Sequence, residues 1–208
     1  MESRLAEPLS ADAEQPAVQQ EHIPQELRRC AQWVCWRYVD RGEGKKPDKQ
    51  PVNPHSTHNL ANAGVHWPNT WTNFEHAYMT YLAYRSRGLR GVGFVLTEND
   101  PFVAIDLDNC ISAGEISPET QAIVNSIHSY TELSPSGHGL RILVASPEFA
   151  GNLRRQVLEI YSNSRFVTIT GQHLEGTPVT ISTVDTDEIS ALIPTEGESD
   201  VKPPVAPM

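Results

Sequence analysis

The stretch FVAIDLD, residues 102–108, is a run of apolar and β-branched side chains that carries two aspartates two positions apart. Such a run predicts a β-strand. Because successive side chains of a strand point to opposite faces, Asp106 and Asp108 would share one face while Ile105 and Leu107 share the other. Two residues of strand rise separate the two aspartate Cα atoms by about 6.5 Å, a spacing at which both carboxylates can reach one or two hard cations.

An Asp-x-Asp pair by itself is equally compatible with an acidic strand end that faces solvent. A third acid, Glu159, is embedded in the apolar stretch VLEIY, residues 157–161. If that strand lies beside the first, three carboxylates form one cluster, and such oxygen ligands favour Mg²⁺ or Mn²⁺ over zinc. We therefore predict that Asp106, Asp108 and Glu159 are metal ligands.

The surrounding sequence predicts an α+β fold with a largely antiparallel or mixed sheet. A capping box at Thr72-x-x-Glu75 predicts a helix that ends near Gly88, and the polar, Pro- and Gly-rich stretch 40–70 is expected to be mostly loop. Further strands are predicted at residues 32–39, 91–96, 129–134, 140–145, 157–161 and 165–170, and further helices from Ile23, after Ser117 and at residues 186–193.

The segment SPSGHGLR, residues 134–141, lies between two predicted strands. Small residues and two glycines allow backbone N–H groups to approach a phosphate, and Arg141 adds a bidentate donor. The competing interpretation is a tight hairpin turn with positive φ at Gly137 or Gly139. Arg165, at the start of a predicted strand, fits either a structural ion pair or a triphosphate contact. Lys49, in the loop KQPVNP, is by itself best explained as solvated surface.

The net charge of −10 comes mostly from the two ends of the chain. Residues 1–21 hold five acids against one arginine, and residues 185–208 hold six against one lysine, so the part between is close to neutral. Both ends are poor in aromatic residues, and we expect a disordered acidic tail over 1–21 and a Pro-rich acidic tail or linker over 194–208. The domain proper is predicted over 22–193. The acidic total therefore does not exclude a phosphate-binding face, although no strong basic stripe is visible.

Three cysteines, none in a Cys-x-x-Cys pair, make a disulfide framework or a closed zinc site a poor explanation of the chain. No signal pattern and no apolar run of membrane-spanning length is visible in the sequence. These features favour a cytoplasmic location without membrane contact.

In order along the chain, these segments together resemble the archaeo-eukaryotic primase superfamily. The similarity is greatest to the bifunctional primase-polymerase domains of phages, plasmids and integrated elements. It rests on IPQELRRCAQWVCWRYV (23–39), KQPVNP (49–54), the Trp67–Trp71 segment, GVGFVLTENDPFVAIDLDNC (91–110), YTELSPSGHGLRILV (130–144) and LEIYSNSRFVTITGQHLEGTP (158–178).

The resemblance implies an α+β primase-polymerase core with an RRM-like sheet flanked by helices, plus an N-terminal α/β subdomain. It implies metal binding by Asp106, Asp108 and Glu159, and nucleotide contacts from the turn residues Ser134, Ser136, Gly137 and His138. The pattern expected there is SPSG-x-G-L-H, so Arg141 takes the place of a histidine; arginine can bind phosphate but cannot shuttle a proton. Lys49 and Arg165 match basic positions for the triphosphate, and His173 a nearby position for which a structural role is favoured.

The implied activity is template-directed nucleotidyl transfer, as a DNA primase or DNA polymerase with a two-ion Mg²⁺ or Mn²⁺ site. Its partners would be single-stranded DNA template or primer-template, nucleoside triphosphates and a replicative helicase domain or protein. Alanine at Asp106 or Asp108 is expected to abolish synthesis and leave the fold intact. The alternatives are a catalytically weak or inactive module that binds nucleic acid or nucleotide in replication initiation, and a nuclease that uses the same acids.

Overall fold

A computed structural model describes residues 16–43, 45, 47–155 and 157–193 of the chain. The four α-helices of this part are α1 (Gln25–Arg28), α2 (Phe74–Tyr84), α3 (Pro118–Ile127) and α4 (Thr186–Ala191). Its strands are β1 (Trp33–Val39), β2 (Asp48–Val52), β3 (Leu89–Leu96), β4 (Phe102–Leu107), β5 (Ile111–Ser112), β6 (Glu115–Ile116), β7 (Thr131–Leu133), β8 (Leu140–Ala145), β9 (Asn152–Arg155), β10 (Leu158–Tyr161), β11 (Arg165–Ile169) and β12 (Ser182–Thr183).

The strands form two main sheets. The first, called here the N-terminal sheet, has the order β11-β3-β1-β2. The second, the central sheet, has the order β12-β8-β4-β10-β9, with β7 also paired to β8. Only the β12–β8 pairing among these is parallel. The predicted α+β class with a mostly antiparallel, mixed sheet is therefore confirmed.

One hydrophobic core connects the two sheets, and it determines which side chains of the central sheet face inward. Ala104 of β4 and Tyr161 of β10 belong to this core together with Trp33, Phe74 and Phe94. Asp106 and Glu159 each lie two positions from one of these core residues on the same strand. The alternation of a strand therefore puts both acids on the face of the central sheet that is turned toward the N-terminal sheet. The opposite face packs against α3 and α4 through a second core.

Helix α2 begins one residue later than predicted, and the predicted capping box at Thr72 is wrong. The N-cap is Asn73, whose side-chain oxygen accepts a hydrogen bond from the backbone N–H of His76 at 2.9 Å. Thr72 is unavailable for capping because its backbone N–H and C=O both pair with Trp33. A 3₁₀ turn follows Tyr84 and ends at Gly88 with φ +100°, so the predicted helix end is confirmed.

The expectation of loop over residues 40–70 is wrong for β2, which pairs with β1 at the edge of the N-terminal sheet. Pro51 disguises this strand because proline cannot donate to a sheet, and an edge position is where it is tolerated. The pairing places Lys49 directly opposite Tyr38. Lys49 is thus held on a strand rather than in a loop.

The remaining predicted strands and helices are present within two residues of their expected bounds. Strand β9 (Asn152–Arg155) was not predicted because its residues lack an apolar alternation. Residues 1–15 and 194–208 of the predicted tails lie outside the described residues. Residues 16–21 contact the domain, since Val18 is buried and the Gln19 N–H donates to the Thr170 carbonyl at 2.9 Å. The domain therefore extends to the N-terminal side of the predicted boundary at residue 22.

None of the helices in the described part of the chain combines the length and apolar character that crossing a membrane requires.

Candidate active site

The candidate site is a row of charged residues that runs across the central sheet. In order, residues that lie directly opposite one another on adjacent strands are Glu132, Arg141, Asp106, Glu159 and Arg154. Directly opposed side chains of antiparallel strands lie about 4.5–5.5 Å apart at their Cβ atoms, so they interact strongly. The sheet register therefore brings Asp106 next to Glu159, and it places an arginine on each outer side of this acid pair.

Asp106 is paired with Arg141 through both carboxylate oxygens. The Arg141 Nε donates to Oδ1 at 2.6 Å and Nη2 donates to Oδ2 at 2.9 Å. The Nη1 of Arg141 donates across to the N-terminal sheet, to the carbonyl and the hydroxyl of Thr168. Arg141 is buried, so these bonds compensate the desolvation of its guanidinium. The structure thus directs Arg141 to Asp106 and Thr168, and not to the turn that precedes it.

Glu132 lies at the inner end of the row and is fully buried. Its carboxylate accepts hydrogen bonds from the backbone N–H groups of Thr170 and Gly171 and from the Tyr130 hydroxyl. Burial raises the pKa of Glu132, although the charge of Arg141 and these donors oppose the shift. Together Glu132 and Arg141 attach the central sheet to β11 and to the two residues that follow it.

Glu159 is held on both carboxylate oxygens as well. Arg154 forms an ion pair with Oε1, and the Tyr161 hydroxyl donates to Oε2. The Arg165 guanidinium lies over the Tyr161 ring, 4.6 Å from its centroid. Burial, followed by the hydrogen bond to Glu159, raises the pKa of Tyr161 to about 12. Tyr161 therefore remains a hydrogen-bond donor at physiological pH.

Asp108 follows the end of β4 and is the exposed member of the three acids. Burial of its carboxyl group raises the pKa of Asp108, and the charges of Asp106 and Glu159 raise it further. Lys49 and Arg141 act in the opposite direction. Asp106 and Glu159 lie directly opposite each other, and Asp108 lies close enough to both for their charges to act on its carboxyl group.

Lys49 reaches the same site from the N-terminal sheet. Its ammonium lies 5.8 Å from the centroid of the Trp36 ring. The residue as a whole is exposed, but protein surrounds the ammonium, and this burial lowers the pKa of Lys49 to about 8. Arg141 contributes to the lowering, while Asp106 and Asp108 oppose it. Lys49 is thus exposed as a residue, as the solvated-surface interpretation predicts, and it also lies close enough to Asp106 and Asp108 for their charges to act on its ammonium.

The predicted phosphate-binding turn is a tight hairpin connection between β7 and β8. Gly137 has φ +73°, and the N–H groups of Ser134 and Gly137 donate within the turn. A Cβ atom on Gly139 would lie 2.7 Å from the Leu107 carbonyl oxygen and 3.5 Å from the Asp108 Cα, so the turn packs against the end of β4. The Ser134 and Ser136 hydroxyls lie 3.1 Å apart. The hairpin interpretation is confirmed, and phosphate binding by this turn stays a prediction.

His138, at the tip of the turn, is half-buried, and its carbonyl accepts from the Ile111 N–H. His173 lies beyond the inner end of the row. Its ring stacks on Tyr130 at 5.4 Å, and its Nε2 lies 3.0 Å from the Pro178 carbonyl oxygen and 3.1 Å from the Thr177 hydroxyl. These contacts fit the structural role that was favoured for His173.

The three acids suit a divalent cation in their chemistry and position, but not in their present side-chain directions. Within the described residues, no group of three or more His, Cys, Asp and Glu side chains is arranged to hold a metal ion. The reason is visible in the row: Asp106 is turned to Arg141 and Glu159 to Arg154. Each carboxylate oxygen keeps a second lone pair, so both acids can still accept a further partner. A cation at this site would therefore share these acids with the arginines or displace them.

Sequence reasoning missed four residues of the site, namely Glu132, Arg154, Tyr161 and Thr168. Tyr161 was recoverable, because it lies two positions from Glu159 and so shares its face. Arg154 and Thr168 had no local signal, since their contacts depend on which strands pair and in which register.

The α+β fold of the described residues is the fold class that the resemblance to primase-polymerases implies. The chain is 34% identical over 158 residues to the DNA primase-polymerase of Nitratiruptor phage NrS-1. The alignment covers 72% of this chain and 20% of that protein, so the chain spans about a fifth of the length of its relative. No protein-family model matches the chain. The similarity confirms that the chain is related to phage-type primase-polymerases, as its sequence predicted.

Proposed function

We propose that this domain catalyses template-directed nucleotidyl transfer, as a DNA primase, a DNA polymerase or both, in the replication of a phage, plasmid or integrated element. One observation carries the proposal: Asp106 and Glu159 lie directly opposite each other on adjacent strands, with Asp108 next to them and Lys49 facing them. The name of the phage relative supports the same activity. The substrates would be nucleoside triphosphates and a single-stranded template or primer-template, with a replicative helicase as a further partner.

Asp106, Asp108 and Glu159 would hold Mg²⁺ or Mn²⁺, which when bound polarises the triphosphate and assists attack by a 3′-hydroxyl. Lys49 would neutralise negative charge on the triphosphate, because its ammonium lies near Asp106 and Asp108. Arg165, whose guanidinium lies over the Tyr161 ring, would make a second phosphate contact. Arg141 would chiefly orient Asp106, since its guanidinium already donates hydrogen bonds to both oxygens of that carboxylate.

A polymerase assay on a single-stranded template tests the proposal directly. The full 208-residue chain is incubated with labelled primer-template or with unprimed template, nucleotides, and Mg²⁺ or Mn²⁺. We expect metal-dependent primer extension, visible as longer products on a denaturing gel. Shortening of the primer would instead favour the nuclease, and an unchanged primer with every nucleotide and metal would contradict the proposal.

The second candidate is a module that binds nucleotide or nucleic acid with little or no catalysis. The engagement of Asp106 and Glu159 by Arg141, Arg154 and Tyr161 favours it, because these contacts compete with cation binding. Binding of a labelled nucleoside triphosphate with and without Mn²⁺ separates the two. The catalytic domain should bind the nucleotide more tightly with metal, and the inert module should not respond to it.

The lowered pKa of Lys49 predicts how triphosphate binding depends on pH. A lysine with a pKa of about 8 is charged below that pH and loses its proton as the pH rises through it. Triphosphate affinity should therefore decrease between pH 7 and pH 9, measured by fluorescence anisotropy at constant ionic strength. The Lys49→Arg variant keeps its charge over this range and should show a flatter profile. Parallel profiles for the two proteins would remove Lys49 from the triphosphate site.

A further inference from the structure

The ion pair between Arg154 and Glu159 joins an exposed residue to a buried one. The Arg154 side chain is 76% exposed, and the Glu159 side chain is 9% exposed. By contrast, the Arg141–Asp106 pair joins a buried side chain, 7% exposed, to a mostly buried one, 17% exposed. An exposed arginine loses little when it leaves its partner, since water replaces the contact. Of the two arginines that form ion pairs with these acids, Arg154 costs less free energy to displace.

The position of Arg154 on its strand adds to this contrast. Strand β9 is an edge strand of the central sheet, and Arg154 lies directly opposite Glu159 on the neighbouring strand β10. The second Glu159 oxygen is held by the Tyr161 hydroxyl, which belongs to the same strand as Glu159. If Arg154 leaves, Tyr161 still orients the carboxylate, and the oxygen Oε1 becomes available to another cation. Glu159 therefore has one partner that stays in place, Tyr161, and one that can be exchanged, Arg154.

We propose that Arg154 is the resident counter-ion of Glu159, that a divalent cation must displace it to bind there, and that the released guanidinium then contacts the triphosphate. The inference rests on the proposed function, because it takes Glu159 as a metal ligand. Arg154 balances the charge of the Glu159 carboxylate in the metal-free protein, and the divalent cation balances it in the metal-bound protein. Because Arg154 competes with the metal, it lowers the metal affinity of the free protein. On release it adds a positive charge where phosphate charge enters the site.

Arg155 provides a matched control for this test. It is the next residue on β9, it is exposed, and it carries the same charge, but it lies opposite Leu158 and so on the other face of the strand. Loss of either arginine changes the net charge of the protein equally. A difference between the Arg154→Ala and Arg155→Ala variants therefore reports the contact with Glu159 and not the general electrostatic field.

The first measurement is Mn²⁺ binding without nucleotide, followed by electron paramagnetic resonance of the free ion. Arg154→Ala should bind Mn²⁺ about three- to fivefold more tightly than Arg155→Ala, the range expected for removing one partly exposed ion pair. Arg154→Lys, which keeps a charge but has a single point of contact, should fall between Arg154→Ala and the unmodified protein. Equal Mn²⁺ affinities for the two alanine variants would overturn the counter-ion role.

The second measurement is binding of a nonhydrolysable nucleoside triphosphate at saturating Mn²⁺. Here the order should reverse, with Arg154→Ala about three- to tenfold weaker than Arg155→Ala because a phosphate contact is lost. Equal nucleotide affinities would overturn the transfer of Arg154 to the triphosphate. If the unmodified protein binds no Mn²⁺, the metal site of the proposed function is contradicted. If it does bind Mn²⁺, the affinities of the two alanine variants test the role of Arg154 separately.

Discussion

Replacing Asp106 by asparagine is expected to destabilise the folded protein by about 3–5 kcal/mol, because it leaves a buried guanidinium without its carboxylate. Arg141 is almost fully buried, and Asp106 accepts two of its hydrogen bonds. The measurement is urea-induced unfolding followed by tryptophan fluorescence, with the free energy extrapolated to zero denaturant. Asp106 is thus a structural residue as well as a candidate metal ligand, and its replacement is expected to lower the stability of the fold as well as the activity.

Two further variants serve as controls for the Asp106→Asn measurement. Asp108→Asn should unfold within about 0.5 kcal/mol of the unmodified protein, since Asp108 is exposed. The double variant Asp106→Leu/Arg141→Met removes both charges and should regain a large part of the lost stability. If Asp106→Asn unfolds at the same urea concentration as Asp108→Asn, the Arg141–Asp106 pair does not carry the stability assigned to it.

Asp108→Asn is expected to reduce primer extension about a hundredfold or more while the protein stays folded. Loss of one carboxylate from a metal site removes several kcal/mol of charge stabilisation, and each 1.4 kcal/mol corresponds to about a tenfold change in rate. Asp108 suits this experiment because neither carboxylate oxygen has an arginine partner among the described residues. The rate is measured as single-turnover extension of a labelled primer at saturating nucleotide and metal.

The control is Glu98→Gln, which removes an exposed acid from the turn before β4, at the opposite end of that strand. It changes the net charge as Asp108→Asn does, and it should leave the rate unchanged. Extension by Asp108→Asn at the rate of Glu98→Gln would exclude Asp108 from the catalytic site. A proportional loss in both variants would indicate a general effect of charge.

The sequence pattern alone did not predict that Lys49 lies near the acids. Proline and polar neighbours concealed β2, so only the resemblance to primase-polymerases suggested a role for Lys49. In the structure, pairing with β1 brings its ammonium to the acids. Arg141 shows the converse: its place in the phosphate-binding segment suggested a nucleotide contact, but the pairing of β8 with β4 joins it to Asp106.

Features that depend on neighbouring residues were predictable before the structure was known. Strand alternation predicted the side-chain directions within β4, and the capping residue Ser117 began α3 as predicted. The position of Glu159 opposite Asp106, with Arg141 and Arg154 on either side, became known only from the strand pairing. The physical reason is that strand order and register arise from packing between segments distant in the chain, whereas alternation and capping are satisfied within a few residues.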